Sequence, residues 1–269
     1  MLPRPTAGLD VRDLGVADVV ESQSAPTLNA MAPPQERVGG STLNERILGR
    51  GWALIQPIEA AFERGEISEG EWHARIGAII GPAYLSATDP RAQSGFSGPA
   101  EDWERARRFI FAAVTRDGTL LDVGCANGHL MECAVRWLAE AGVSIEPYGL
   151  EILPDIAALA RRRLPHWADR VAVGNALDWM AGRSFDFVRT GLDYVPARLR
   201  AQLVAHLLED VVAPGGRLIV GPYSEPAGSP SQLQTEVASW GFTVAGAAEV
   251  PHARDHRVVR RAFWLDKPL

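Results

Sequence analysis

From Thr119 onward, short apolar runs alternate with segments whose apolar residues recur at helical spacing. The apolar runs predict strands over 119–123, 146–151, 170–174, 185–190, 216–222, 242–249 and 257–265. Helices are predicted to begin between them, near Gly128, Pro154, Ala176, Pro196 and Pro230. This alternation is typical of an α/β protein with a mostly parallel sheet. Only a short loop joins the last two predicted strands, so we expect them to be antiparallel neighbours, with the last of the seven strands antiparallel in the sheet.

The chain ahead of the predicted sheet has helical periodicity instead. Ser68-x-x-Glu71 is a capping box, which predicts a helix start. An earlier helix beginning near Thr42 is expected to be interrupted at Gly51 and Pro57. A further helix is predicted over about 101–114, after a loop rich in Ser and Gly.

These patterns divide the chain into three parts. Residues 1–40 carry scattered prolines and no lasting periodicity, so they are predicted to be a flexible tail, with Met31 as an alternative start. Residues 41–100 are predicted to form a helical cap or lid region. Residues 101–269 are predicted to form the sheet domain.

Composition narrows the class of protein. With 269 residues, 46% of them hydrophobic, the chain can bury a sizeable core. It has no run of eighteen apolar residues and no secretory signal pattern, so we expect a cytoplasmic protein without a membrane span. Its two cysteines, Cys125 and Cys133, are expected to be reduced, and no metal site is expected. Lys267 is the only lysine among the basic residues, which indicates the codon bias of a GC-rich genome and favours a bacterial source.

The charge disfavours one class of partner. The formal net charge is −6, whereas proteins that bind nucleic acids usually carry a basic face. A nucleic-acid partner is therefore not expected, and the charge gives no prediction of oligomeric state.

The segment T-L-L-D-V-G-C-A-N-G-H joins an apolar strand to an amphipathic helix through a turn of small residues. The strand ends at Asp122, and Gly124 and Gly128 bound the turn. Glycines let a ligand approach the backbone, and the first turn of the helix offers free N–H groups. Open α/β sheets bind nucleotide-like cofactors at such a position.

This turn resembles motif I of the class I S-adenosylmethionine (SAM)-dependent methyltransferases, and four later motifs follow in that family's order. They include P-Y-G-L-E-I, R-V-A-V-G-N-A-L-D-W and the Pro-Gly-Gly turn at 214–216. The resemblance covers about residues 101–265. It implies a Rossmann-like seven-stranded methyltransferase fold and SAM as cofactor.

The resemblance also implies roles for individual residues. Asp122 would reach the ammonium of the methionine moiety, Glu151 would accept both ribose hydroxyls, and Ile152 would lie against the adenine. Asn175 and Ala176 would meet the adenine edge. The remaining cofactor-binding positions implied are Gly124, Cys125, Gly128, Thr190 and Gly191.

Two positions depart from the family's pattern. Ala126 replaces the middle glycine of motif I, which is tolerable if its backbone has an ordinary φ. Asn175 stands where the family more often has Asp, but its amide oxygen can still accept a hydrogen bond from the adenine amino group.

On the acceptor side, Asp193 and Tyr194 follow the fourth predicted strand and are the candidate catalytic residues. A general base is needed mainly when the acceptor is a hydroxyl or an acidic carbon. Tyr194 could equally have only a packing role. Tyr84 and the loop Gln93–Ser97 are predicted to fold over the cofactor as a lid.

The leading hypothesis is a SAM-dependent methyltransferase with a small-molecule acceptor, for which bacterial secondary metabolism is one setting. An RNA or protein methyltransferase is the alternative within the fold. A non-catalytic SAM-fold protein that binds a ligand or a partner is the alternative of another class. A nicotinamide-dependent oxidoreductase is disfavoured because Ala126 and His129 stand where the dinucleotide fingerprint needs glycine, and Glu151 falls 27 residues after Gly124 rather than about 20.

Overall fold

A computed structural model describes residues 43–96 and 98–269, with side chains described from Ala53 onward. The predicted tail over 1–40, the alternative start at Met31 and the first capping residue Thr42 lie outside the described residues. Ser97, in the predicted lid loop, lies outside them as well.

Two helices lie within residues 41–100, which the sequence predicts to be a cap or lid region. Helix α1 spans Leu43–Glu63 and α2 spans Glu69–Ser86. The interruption predicted at Gly51 and Pro57 is wrong, because α1 continues through both residues. Pro57 is exposed, while Ile58 and Phe62 on the other side of α1 are buried in one cluster with residues of α2. Tertiary packing of the apolar face therefore outweighs the hydrogen bond that proline removes.

The capping prediction for α2 is confirmed. Ser68 is the N-cap, and its hydroxyl accepts a hydrogen bond from the N–H of Glu71 at 3.2 Å. This cap fixes where α2 begins and therefore which of its residues face the sheet.

The remaining elements follow α2 along the chain. The helices are α3 (Ala100–Arg107), α4 (His129–Glu140), α5 (Pro154–Arg163), α6 (Arg200–His206) and α7 (Gln232–Ser239). The strands are β1 (Gly118–Val123), β2 (Ile145–Glu151), β3 (Val171–Val173), β4 (Phe185–Thr190), β5 (Val212–Pro226), β6 (Gly246–Pro251) and β7 (Val258–Asp266). Short 3₁₀ turns cover Ala92–Ser94, Arg108–Ala113, Pro165–Arg170 and Ala197–Leu199, and a π turn covers Leu207–Val211.

The sheet has the predicted architecture. Its seven strands lie in the order β3-β2-β1-β4-β5-β7-β6. Strands β1 to β5 pair in parallel, and β7 runs antiparallel between β5 and β6. The fold class predicted from the sequence, including the antiparallel last strand, is confirmed.

The helix predicted to begin near Ala176 is absent. The chain forms a single turn there, because the side-chain oxygen of Asn175 accepts the N–H of Leu177 at 3.1 Å. Met180 is 77% exposed and Gly182 has a φ of +65°. The segment still packs against the core through Leu177 and Trp179, but its backbone does not continue as a helix.

Both faces of the sheet are covered. On one face Leu121, Val188 and Phe263 pack with residues of α6 and α7. On the other face Phe187 and Ile219 pack with residues of α3 and α4. Because both faces are closed, the ends of the strands are left to form a site. Among the described helices, none combines the length and apolar character needed to cross a bilayer.

Candidate cofactor and acceptor site

A cavity lies at the carboxyl ends of β1, β2, β3 and the loop after β4, beneath helix α2. Its volume is about 120 Å³, which is smaller than that of typical small-molecule sites. The predicted site residues that line it are Gly124, Glu151, Ile152, Asn175, Ala176, Asp193 and Tyr194. The topology therefore brings the tips of separate strands to one place. Helix α2 covers that place.

The turn between β1 and α4 has an unusual backbone. Gly124, Ala126 and Gly128 all have positive φ, of 71°, 48° and 75°. The condition for tolerating alanine at position 126, an ordinary φ, is not met, and Ala126 is the only non-glycine residue with positive φ among the described residues. Left-handed backbone is strained for alanine because its Cβ approaches the following carbonyl oxygen.

The strained turn directs a backbone N–H group toward Glu151. The carboxylate of Glu151 accepts hydrogen bonds from the N–H of Ala126 and the N–H of Leu153, both at 3.0 Å. Burial raises the pKa of Glu151, and the backbone donors oppose that shift. The carboxylate is thus fixed at the tip of β2, and each oxygen keeps acceptor capacity for a further donor.

Asp122 has a partner that the sequence did not reveal. It is 3% exposed, and its Oδ1 accepts from Nη1 of the equally buried Arg189 at 3.0 Å. Burial raises the pKa of Asp122, while Arg189 opposes that shift. Among the described residues, Oδ2 of Asp122 has no hydrogen-bond partner. Asp122 does not line the cavity. Because Arg189 already occupies Oδ1, Oδ2 is the carboxylate oxygen left to bind a ligand.

Arg189 also organises the loop after β4. It donates to the carbonyl of Gly221 at 2.7 Å and to the hydroxyl of Tyr194 at 3.0 Å. The Tyr194 ring lies against Gly124, and burial raises the pKa of Tyr194 to about 12. Tyr194 therefore keeps its proton at neutral pH and is not a general base in this arrangement.

Asp193 has the properties of a proton acceptor. Its Oδ2 is shielded from solvent and has no hydrogen-bond partner among the described residues. Burial raises the pKa of Asp193, and the charges of Arg189, Arg200 and Arg107 oppose the shift. A buried carboxylate with a free oxygen can accept a proton from a ligand within reach.

Helix α2 supplies two site residues that sequence reasoning missed. Glu69 accepts from the side-chain amide of Asn175 at 2.5 Å and lies 2.8 Å from Nδ1 of His73. The other ring nitrogen of His73 lies 3.2 Å from the carbonyl oxygen of Tyr194. The sequence carried no signal for this chain of contacts, because it depends on how α2 lies on the sheet.

The predicted lid residues Tyr84 and Gln93 lie beside the motif I turn. Tyr84 is 7% exposed and lines the cavity with Ser94 and Gly95. The side chain of Gln93 donates to the carbonyl of Ala87 at 2.8 Å and accepts from the amide of Asn127 at 3.1 Å. The loop is therefore tied to the turn, and its lid function remains a prediction.

Besides Asp122, four predicted cofactor residues lie outside the cavity lining, namely Cys125, Gly128, Thr190 and Gly191. Cys125 packs with Met131 and Ala157, and Gly128 is the N-cap of α4. Thr190 is fully buried, and its hydroxyl donates to the carbonyl of Gly191 at 3.1 Å. These residues shape the backbone around the cavity. Among the described side chains, no cluster of His, Cys, Asp and Glu could hold a metal ion.

Comparison with known proteins establishes the fold. No protein-family model matches the sequence, and no curated protein matches it. The N1-methyltransferase for 1,6-didemethyltoxoflavin from Burkholderia thailandensis, solved with 1,6-didemethyltoxoflavin and S-adenosylhomocysteine, is similar in structure. It is 16% identical, the match covers 76% of this chain and 92% of that chain, and the TM-score is 0.53.

Two further solved structures resemble this chain more distantly. The N-methyltransferase NodS from Bradyrhizobium japonicum is 14% identical, over 60% of this chain and 92% of that chain, with a TM-score of 0.44. A TehB-like SAM-dependent methyltransferase from Corynebacterium glutamicum is 22% identical, over 64% and 91%, with a TM-score of 0.42. The chain has the fold of the class I SAM-dependent methyltransferases.

Proposed function

We propose that this protein is a SAM-dependent methyltransferase that acts on a small-molecule acceptor. The observation that carries the proposal is the position of Glu151, fixed by two backbone N–H groups at the tip of β2. It shares one cavity with the glycine turn after β1, at the edge where open α/β sheets bind nucleotides.

The donors and acceptors around the cavity fit the parts of SAM. Glu151 accepts the two ribose hydroxyls, and Ile152 packs against the adenine. Asn175 and Ala176 lie at the adenine edge, where Glu69 adds a carboxylate that can accept from the adenine amino group. The free oxygen of Asp122 serves the ammonium of the methionine moiety.

The backbone of the turns completes the cofactor site. Gly124 lets the ligand approach the end of β1, while Cys125, Gly128, Thr190 and Gly191 hold the turns in shape. Tyr194 packs against Gly124, so its ring moves aside when the methionine moiety binds.

The acceptor is held near the loop after β4. SAM supplies an activated methyl group whose transfer is an in-line displacement, so positioning and exclusion of water provide much of the catalysis. Asp193 takes the proton released by the acceptor. Tyr194 donates a hydrogen bond or closes the pocket over the reacting groups.

Enclosure of the cavity supports a small acceptor over RNA or protein. Helix α2 and the loop at Ser94 and Gly95 cover the opening, and the chain has a net charge of −6. A polyanionic or peptide substrate would need an open or basic face.

One observation favours a second candidate, a non-catalytic protein that binds a ligand or a partner on the same fold. The ring of Tyr194 fills the space beside Gly124 that a ligand would occupy. In addition, Arg189 already forms an ion pair with Asp122. A site closed in this way would not bind SAM.

Calorimetric titration with S-adenosylhomocysteine separates the two candidates. We expect a micromolar dissociation constant for the wild type and a loss of about tenfold or more in Glu151→Gln, because the bond to the ribose loses its charge. Glu146→Gln, on the same strand outside the cavity lining, is the matched control and should bind normally. Absence of binding by the folded wild type would contradict the methyltransferase proposal.

A further inference from the structure

Arg107 is a buried cation in the wall of the cavity. It is 4% exposed and reaches the cavity from the last turn of α3. It forms no ion pair with any carboxylate of the described residues. Within the described part of the chain, Arg107 forms one hydrogen bond. Its Nη1 donates to the carbonyl oxygen of Ala106 at a long distance of 3.3 Å. Most donors of its guanidinium are therefore available to a ligand.

Aromatic rings hold this guanidinium in place. Its carbon lies 5.0 Å from the ring centre of Trp103 and 5.6 Å from that of Phe96. Stacking of this kind stabilises the cation and restricts its orientation, but supplies no negative charge. Arg107 therefore has no directly paired carboxylate among the described residues, and the charge of Asp193 in the same cavity acts on it only from a distance.

The charge of a second arginine, Arg260, adds to the positive potential at Arg107. Arg260 on β7 is partly buried and forms no ion pair within the described part of the chain. Burial, together with the nearby charges of Arg260 and Arg189, lowers the pKa of Arg107 to about 9, while the charges of Tyr194 and Asp193 act in the opposite direction. Arg107 nevertheless remains protonated at neutral pH.

Other buried arginines of this protein are paired with carboxylates, whereas Arg107 is not. Arg189 is paired with Asp122 at 3.0 Å, and Arg261 is paired with Glu225 at 2.6 Å. A buried cation without a partner costs free energy that these pairs avoid. A ligand that carried an acidic group would remove that cost at Arg107.

We propose that Arg107 binds a carboxylate or phosphate group of the methyl acceptor, and that the charge of Arg260 adds to the positive potential at this site. The planar guanidinium matches both groups with two parallel hydrogen bonds. This inference rests on the proposed methyltransferase function and specifies its substrate class.

The topology assigns the anion to the acceptor and not to the nucleoside half of SAM. Glu151 and Asn175 follow β2 and β3, on one side of β1 in the sheet. Arg260 lies on β7, two strands beyond β4 on the other side, and Asp193 follows β4. The acidic group therefore binds on the side where Asp193 meets the acceptor.

The test uses simple aromatic anions as probes. Benzoate and phenyl phosphate, titrated calorimetrically with and without saturating S-adenosylhomocysteine, distinguish a carboxylate from a phosphate. Arg107→Gln should weaken the preferred probe by about tenfold or more, because charge-assisted hydrogen bonds are lost. Arg260→Gln should weaken it less. Arg105→Gln, an exposed change on the same helix, should have no effect.

The second part of the test measures binding of S-adenosylhomocysteine, the product left by SAM after methyl transfer. If Arg107 serves the acceptor, Arg107→Gln binds S-adenosylhomocysteine as the wild type does. A loss for S-adenosylhomocysteine but not for 5′-methylthioadenosine, which lacks the amino-acid part, would assign Arg107 to the cofactor carboxylate and overturn the proposal.

Other outcomes are equally decisive. If the folded wild type, checked by circular dichroism, binds neither probe in any condition, the anion site does not exist. If the probes bind through Arg107 while S-adenosylhomocysteine does not bind, the anion site stands and the methyltransferase function fails. Arg107→Lys keeps the charge without the planar fork and should bind with intermediate affinity, which guards against a folding defect in Arg107→Gln.

Discussion

The ring of Tyr194 lies directly over Gly124. A Cβ atom at position 124 would be 2.5 Å from Cε2 of that ring, closer than any real contact allows. The glycine is therefore needed for the fold of the loop after β4 as well as for ligand approach. The tyrosine occupies the space that a cofactor would enter.

Truncation of Tyr194 should consequently favour ligand binding. We expect Tyr194→Ala to bind S-adenosylhomocysteine about three- to tenfold more tightly than the wild type, because no ring has to be displaced. Calorimetric titration measures this. Tyr194→Phe keeps the ring and serves as the control. Weaker binding by Tyr194→Ala would mean that the ring contacts the ligand and does not block it.

At Ala126 the backbone conformation predicts the effect of a substitution on stability. Its φ of 48° costs alanine about 1–2 kcal/mol relative to glycine. Its methyl group also packs with Tyr84 and Ile156, which offsets part of that cost. We expect Ala126→Gly to raise the free energy of unfolding by up to about 1 kcal/mol in urea titration.

A control for that change lies in the adjacent helix. Ala139→Gly, at an exposed position of α4, should lower the free energy of unfolding by about 0.5–1 kcal/mol. If both variants were destabilised equally, the turn at Ala126 would not be strained.

Much of the fold could be predicted from the sequence, since apolar periodicity and caps are local. The N-cap at Ser68 and the position of β1 are examples. The pairing of Arg189 with Asp122 could not be predicted. It depends on the parallel register of β1 and β4, which places these two residues opposite each other. Arg107 was missed for a related reason, because its burial follows from the way α3 lies on the sheet.

The pair formed by Asp122 and Arg189 gives a stability prediction. Arg189→Met should lower the free energy of unfolding by about 3–5 kcal/mol at neutral pH, because it leaves a buried carboxylate without its partner. The double variant Asp122→Asn, Arg189→Met should recover part of the loss. Urea unfolding of the single and double variants measures the coupling.

The same pair has a pH signature. Burial already raises the pKa of Asp122, and removing Arg189 raises it further. An acid whose pKa is raised by folding stabilises the protein below its unfolded pKa and loses that contribution as pH rises through the folded pKa. Arg189→Met should therefore regain stability on acidification relative to the wild type. An equal deficit at all pH values would contradict this.

Gln93 tests the predicted lid. Its side chain joins Ala87 to Asn127 of the motif I turn, so its loss should loosen the loop that covers the cavity. We expect Gln93→Ala to weaken binding of S-adenosylhomocysteine about tenfold, as loss of such hydrogen bonds would give. Gln56→Ala, an exposed change on α1, is the control. Unchanged affinity in Gln93→Ala would argue against a lid.

Asp193 gives the prediction closest to the chemistry. Burial raises its pKa, so its carboxylate is lost to protonation at a higher pH than an exposed aspartate. If Asp193 takes the proton of the acceptor, kcat/KM falls as pH decreases through that raised pKa. Asp193→Asn should remove this limb of the profile and lower kcat by about 10²- to 10⁴-fold, whereas Asp193→Glu should retain the limb. The profile is measured with an acceptor found by screening acidic small molecules. An acidic limb that persists in Asp193→Asn would assign the base to another group.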